Sequence, residues 1–367
     1  MGYQDDARKP LGIACFSILC IGLTACGGSP KSLAFSPDGS LLAVAGDERL
    51  SVWTVPGGTK LSSPWSPVGP DHKSPVAFSP DGLSIAEGHR GGFTVYSITD
   101  GSIRTRLGTE GTVSGDVIAF CDSRTVVHGS VGEGLVGGVT TVWALSGEHG
   151  HIVASDASGK WSRITEVNWL GLPFRGAGAA APVSISCSAD GQWLAIAYYG
   201  LKRSPPVQLV DTRALVKPED HSSTSTWVLE GEGARRISFL GDATRLIGCS
   251  ETFDVNNDKT VSASKVVIWD IRTRRIDRVF PFRSCEGFVV ATKSPSLIVG
   301  GWNGSLNKMR IELWRPDTGS FVRTFDGNRV ASLALSPDGS TLAAGYEDGI
   351  VRIWSVLTGR LVRELKL

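Results

Sequence analysis

The sequence predicts an all-β chain, a seven-bladed β-propeller of four-stranded antiparallel blades. Three observations predict it. One short plan of strands and turns recurs seven times between Leu33 and Leu367. Its first turn is spelled Ser-Pro-Asp-Gly at Ser36–Gly39, Ser79–Gly82 and Ser336–Gly339. A large residue, usually Trp, closes the third strand of each copy: Trp53, Tyr96, Trp143, Val210, Trp269, Trp314 and Trp354, spaced 40 to 67 residues apart. A period in the forties marks a blade array, because one such unit cannot bury its own faces and needs a neighbour on each side.

The last copy justifies each element in turn. Val330 to Leu335 is short and apolar on both faces, as a strand inside a closed ring should be. In the turn that follows, Pro337 presets φ, Asp338 can bond the local backbone, and Gly339 supplies the positive φ. Thr341 to Gly345 is a second strand of mostly small side chains, which lets neighbouring sheets approach closely. Asp348-Gly349 is a tight hairpin signal, Val351 to Trp354 alternates as a third strand, and Leu361 to Leu365 is the outer strand. The inner strand of the first unit starts at Ser32 and the last unit supplies its own outer strand, so the ring is expected to close by packing of its first and last sheets. A large aromatic at one position of every sheet sets the wedge between neighbours.

These motifs resemble the WD-repeat β-propeller family in its bacterial form. Trp269-Asp270 is the one literal Trp-Asp pair, and Gly345-Tyr346-Glu347-Asp348-Gly349 with Val351-Arg352-Ile353-Trp354 follows the family's third-strand pattern. The family's buried His–Ser–Asp–Trp network is matched only in part. In the last unit Asp348 and Trp354 fit, while Asn328 stands in place of the His and Tyr346 in place of the Ser; in the second unit Arg90 replaces the Asp. The resemblance implies a seven-bladed ring over residues 32–367 and a non-enzymatic scaffold.

The N-terminus carries a second signal. Arg8-Lys9 precede an apolar run from Leu11 to Ala25, too short to span a bilayer comfortably and proportioned like a secretory core. It ends in Leu23-Thr24-Ala25-Cys26, which resembles the lipobox of bacterial lipoproteins, with Cys26 as the acylated new N-terminus. The alternative is an ordinary signal peptide with an incidental cysteine. The resemblance implies residues 1–25 as signal, 26–31 as a short tether and a lipid-anchored exported protein. Gly27 after the cysteine implies the periplasmic face of the outer membrane in a Gram-negative cell.

Formal charge is +1, with Lys and Arg (37) balancing Asp and Glu (36), and nothing in it has the footprint of a nucleic-acid binder. Arg272 to Arg283, the densest basic stretch, reads as a solvated rim. Export makes disulfides possible. Cys121 and Cys187 fall near the ends of inner strands in adjacent units, and Cys249 and Cys285 lie between units five and six. Each pair could meet on its own face of the disc, or all four could be buried thiols.

Additions to the repeat mark the candidate binding surface. They lie at Ser130–Gly138, Tyr199–Pro206, Thr252–Ser264 and Trp302–Lys308, between second and third strands of units three to six. The longest, Ser155–Ala181, joins unit three to unit four. All are expected to emerge on one face, with Trp161, Trp169, Phe174, Tyr199 and Trp302 as candidate partner contacts. Asp254 to Thr260 resembles the start of a calcium loop, but Lys259 replaces the turn glycine and Lys265 cannot supply the closing carboxylate. His149 and His151 lack a third ligand nearby, and no nucleophile elbow, phosphate loop or carboxylate pair appears. No metal and no cofactor is expected. Two readings follow: a lipid-anchored scaffold binding a protein or peptide through the face decorated by units three to six, and an exported enzyme or ligand sensor with its site in the central funnel. The inner strands are almost wholly apolar or small, which favours the first.

Overall fold

A computed structural model describes residues 29–46, 50–61, 74–89, 92–108, 114–131, 138–144, 152–155, 161–164, 181–199, 206–212, 226–231, 233–241, 243–253, 261–282, 285, 287–293, 298–300, 310–326 and 330–367. They form an all-β propeller with five four-stranded blades, a three-stranded sheet and a five-stranded sheet, every strand antiparallel to the next. In chain order the three-stranded sheet comes first: Ser32–Phe35, Leu41–Ala45 and Leu50–Thr54. Blade A follows with Val76–Phe78, Ser84–His89, Gly92–Ser97 and Ile103–Gly108. The five-stranded sheet comprises Ser114–Asp122, Thr125–Val131, Gly138–Ala144, Ile152–Ser155 and Trp161–Ile164. Blade B holds Ala181–Cys187, Trp193–Tyr199, Gln208–Asp211 and Thr226–Val228, and blade C holds Arg236–Phe239, Arg245–Phe253, Val261–Asp270 and Arg275–Phe282. Blade D is Val289–Val290, Ile298–Gly300, Arg310–Arg315 and Ser320–Asp326; blade E is Val330–Leu335, Thr341–Tyr346, Ile350–Ser355 and Leu361–Lys366.

The expectation of a seven-bladed propeller of four-stranded blades is thereby corrected, since five blades have that form. Among the described residues the first sheet has three strands and, after Thr54, an isolated bridge from Lys60 to Trp53; residues 62–73 lie outside them. The five-stranded sheet gains its extra strand from the long insert, where Trp161–Ile164 pairs with Ile152–Ser155.

The core is a ring of clusters, each shared by two neighbouring sheets. Ala195, Leu209 and Trp269 join blades B and C; Ile311, Leu313, Leu342 and Ala344 join D and E. Leu33, Leu42 and Val44 pack on Ala343, Val351 and Ile353, so the first sheet and blade E close the ring through apolar packing. The second strands explain the geometry. Alternate residues point to opposite faces, and the large ones point to the preceding sheet while alanines point to the following one. Leu42 and Val44 face blade E while Ala43 and Ala45 face blade A; Leu194, Ile196 and Tyr198 face the five-stranded sheet while Ala195 and Ala197 face blade C. Blade C departs from this, placing Ile247 and Cys249 toward blade D.

Inner strands are tied by serine. Ser184 and Ser186 accept hydrogen bonds from the backbone N–H groups of Ile237 and Phe239, both at 3.0 Å, and Ser32 accepts one from Val76 at 3.2 Å. These hydroxyls satisfy donors on the next strand's edge that would otherwise lack partners.

Candidate functional site

Strand polarity defines two faces. The Ser-Pro-Asp-Gly turns lie on one, here the turn face. In blade E, Ser336 Oγ donates to Asp338 at 2.6 Å and accepts from Thr341 N at 2.9 Å, while Ser340 N donates to Asp338 at 3.0 Å. The same bonds recur around Asp38, Asp81 and Asp190, the Ser188–Asp190 contact included. Donors converging on Asp38, the Ser36 hydroxyl first, lower its pKa to about 2. These carboxylates are spent on their own turns. Lys293 crosses the same face, its Nζ donating to the Pro37 carbonyl at 2.8 Å and its N–H to the Pro337 carbonyl at 2.7 Å.

The opposite face carries the connections between second and third strands and is the candidate interaction face. Blade C is tallest there. Its second and third strands stay paired past the ring through Thr252↔Ala263 and Phe253↔Val261, so the two ends of the expected loop 252–264 are paired strand, and residues 254–260 lie outside the described residues. Glu251 anchors its base: Oε2 accepts from Arg235 Nη1 at 2.6 Å and Oε1 from Cys285 N at 2.9 Å. The five-stranded sheet is lengthened likewise, with Val131 opposite Gly138.

The long insert is not confined to one face. Ser155 ends on the insert face and pairs with Trp161, but Ile164 lies opposite Ile152, at the turn-face end of its strand. Residues 165–180 lie outside the described residues. Trp169, Phe174 and Trp302 lie outside the described residues, as does Cys26. Tyr199 pairs with Ala181 on the insert face, and Trp161 lies on the outermost strand of the five-stranded sheet. The five candidate contacts are thus not brought to one described surface. Cys121 and Cys187 are joined by a disulfide (Cα–Cα 4.9 Å) near the turn face, and Cys249 and Cys285 by another (5.4 Å) at the insert face. Each fastens one sheet to the next. Among the described residues no cluster of three metal-ligating side chains occurs, and Asp254 to Thr260 and His149 with His151 lie outside them.

Sequence reasoning missed two buried titratable groups. Glu87 and His128 occupy equivalent second-strand positions, each two residues after a core aliphatic, Ile85 and Val126. Both point to the preceding sheet, where blade E carries Ala344. Burial pushes the Glu87 carboxyl up to about 7, although the Tyr96 hydroxyl donates to its Oε2 at 3.2 Å. Burial, then the Glu87 charge, raises the Tyr96 pKa in turn. His128 is pushed down to about 4 by burial and by His89, and its ring lies 5.7 Å from Phe93. The signal available was a Glu and a His where the repeat places apolar or small residues. In the last unit Trp354 Nε1 has no hydrogen-bond partner, Asp348 binds Arg352 at 3.1 Å, whose guanidinium stacks over Tyr346, and Asn328 lies outside the described residues.

Fold and turns together define an all-β propeller. The family model "WD domain, G-beta repeat" matches residues 21–54 and 319–355, which include the three-stranded sheet and most of blade E. Among similar proteins, the WD repeat-containing protein SL1-17 of Schistosoma mansoni is 29% identical over 113 residues, 29% of this chain and 36% of that protein. The small ribosomal subunit protein RACK1y of Oryza sativa is 27% identical over 84 residues, 22% of this chain and 24% of that protein. The ribosome biogenesis protein ERB1 of Chaetomium thermophilum is 54% identical over 39 residues, 11% of this chain and 5% of that protein. The matches thus span about a third or less of these relatives.

Proposed function

We propose that the chain is a non-enzymatic, exported scaffold, anchored to a bacterial membrane by lipid on Cys26, that binds a protein or peptide through its insert-bearing face. The observation that carries the binding role is the asymmetry of the two faces. One is a uniform set of turns whose aspartates are consumed by local hydrogen bonds. The other bears the extended strand pair of blade C and the strand ends that lead into every second-to-third-strand addition. Two disulfides between neighbouring sheets support export, since such bonds persist in oxidising compartments. Gly27 after the cysteine supports the periplasmic face of the outer membrane if the cell is Gram-negative. RACK1y and ERB1 are named for the ribosome and its assembly, and for this chain we carry over only the scaffold role that WD repeats serve. A funnel enzyme is disfavoured because the inner-strand hydroxyls of Ser184 and Ser186 are committed to the neighbouring backbone.

In-cell photo-crosslinking tests the reading. A probe at Tyr199 or Thr252 should capture a protein in near-stoichiometric yield, while one at Ala189 on the turn face should not. Capture from Ala189 alone would overturn the assignment of the face.

A further inference from the structure

The path of the chain into the first strand fixes which face an anchor at Cys26 can bring to the membrane. Pro30 is held against blade E, its carbonyl accepting from Ser332 Oγ at 2.6 Å, and Lys31 N donates to Ala45 O at 2.8 Å. Ala45 ends the second strand of its sheet, so the entering chain leaves the ring on the insert-bearing face. It does so beside the inner strands, close to the axis of the disc.

Covalent reach then decides the orientation. Two residues, Gly27 and Gly28, separate Cys26 from Ser29, so Cys26 Cα lies at most about 11 Å, three Cα–Cα steps, from that point. The second strand Leu41–Ala45 sets a ring thickness of roughly 17 Å, five residues at about 3.4 Å each. A tether leaving near the axis would have to cross the disc and then traverse that thickness to set the turn face on lipid. It is too short. The blade C strand pair points the same way. It continues four residues beyond Cys249, from Ser250 to Phe253, a rise of about 13 Å that matches the reach of the tether.

We propose that the insert-bearing face is the membrane-apposed face of the propeller, held flat against a lipid surface with the blade C strand pair reaching the headgroups and the turn face open to the aqueous compartment. This rests on the lipid-anchor reading of Cys26. It narrows the partner of that face to molecules presented at the bilayer surface, because a large soluble protein could approach only from the turn side.

The test uses the full chain made in a host that acylates lipoboxes, extracted and reconstituted into phosphatidylcholine–phosphatidylglycerol vesicles carrying a headgroup nitroxide. A single fluorophore is placed through Pro206→Cys, exposed on the insert face, or through Ala189→Cys, exposed on the turn face. Peptide mass at Cys26 reports acylation in the same samples. With Cys26 acylated, quenching at position 206 should exceed that at 189 at least twofold. Equal or reversed quenching with Cys26 acylated overturns the orientation and leaves the anchor standing. Vesicle attachment with Cys26 unmodified, or attachment that survives Cys26→Ser, overturns the anchor and the orientation together.

Discussion

Glu87 and His128 should give this protein an unusual pH profile, because two large linkages of opposite sign cancel over most of the range. The folded-state pKa of Glu87 is raised from 4.5 to about 7, so its contribution is complete below pH 4.5 and is lost as pH rises toward 7. At about 1.4 kcal/mol per unit, the loss is on the order of 3 kcal/mol when complete. His128 is lowered from 6.5 to about 4, so its contribution is complete above pH 6.5 and is lost by a similar amount as pH falls toward 4. Between pH 4.5 and 6.5 the folded chain holds the Glu87 proton while the unfolded chain holds the His128 proton. The two slopes cancel there. Glu87→Gln should unmask the histidine: stability should rise by about 2 kcal/mol from pH 5 to pH 8, where the two terms nearly cancel in the parent. His128→Asn should unmask the acid and lose on the order of 2–3 kcal/mol over the same interval. The two groups lie on opposite faces of blade A, so the double variant should be flat. Urea unfolding of all four chains at pH 5 and pH 8 is the assay, and comparing slopes removes every titration they share. Single variants that keep the parental profile would refute the assignment of these groups as buried.

Three other substitutions follow from the packing. Trp269→Ala removes a fully buried indole that donates to Glu230 O at 2.8 Å and should cost about 3–5 kcal/mol in chemical denaturation. Trp354→Phe discards a buried N–H with no partner and should change stability by less than about 1 kcal/mol in the same assay. Cys121→Ser with Cys187→Ser opens a 66-residue separation and should cost about 4 kcal/mol by loop entropy, read as the difference in urea midpoint with the slope held constant. Replacing Ser155–Ala181 by a short Gly/Ser linker removes the edge strand Trp161–Ile164 and should leave cooperative unfolding intact while abolishing crosslinking to the partner.

Much of the fold was legible because its signals are local. Ser-Pro-Asp-Gly specifies a turn from four adjacent residues, and the copies at Asp38, Asp81 and Asp338 fold alike. Where a blade departed from the plan, the cause was not local. Trp161–Ile164 looked like loop, since its strand character depends on pairing with Ile152–Ser155 rather than on a pattern of its own. Among the described residues the first sheet has three strands, where four were expected by analogy with its siblings. The Glu251–Arg235 pair at 2.6 Å and the reach of Lys293 to Pro37 join residues far apart in sequence, and no spacing rule finds them. Glu87 was visible as a break in the repeat, but its raised pKa comes from the neighbouring sheet that covers it.

The turn face makes the division of labour between the two faces testable. At each turn the aspartate receives a serine hydroxyl and a backbone N–H, and the serine accepts the N–H that starts the second strand. Asp338→Ala therefore removes three bonds, from the Ser336 hydroxyl and from the N–H and hydroxyl of Ser340, but leaves the Ser336–Thr341 bond in place, and should cost about 0.5–1.5 kcal/mol. Because hydrogen bonding lowers the folded pKa of Asp338, its contribution is present above the ordinary carboxylate range and fades as pH falls below it. The gap between parent and Asp338→Ala should then narrow in acid, measured by urea unfolding at pH 3 and pH 6. Partner crosslinking through the insert face should not change at all. A turn aspartate whose loss weakened partner capture while stability held would show that the face read here as structural also takes part in recognition.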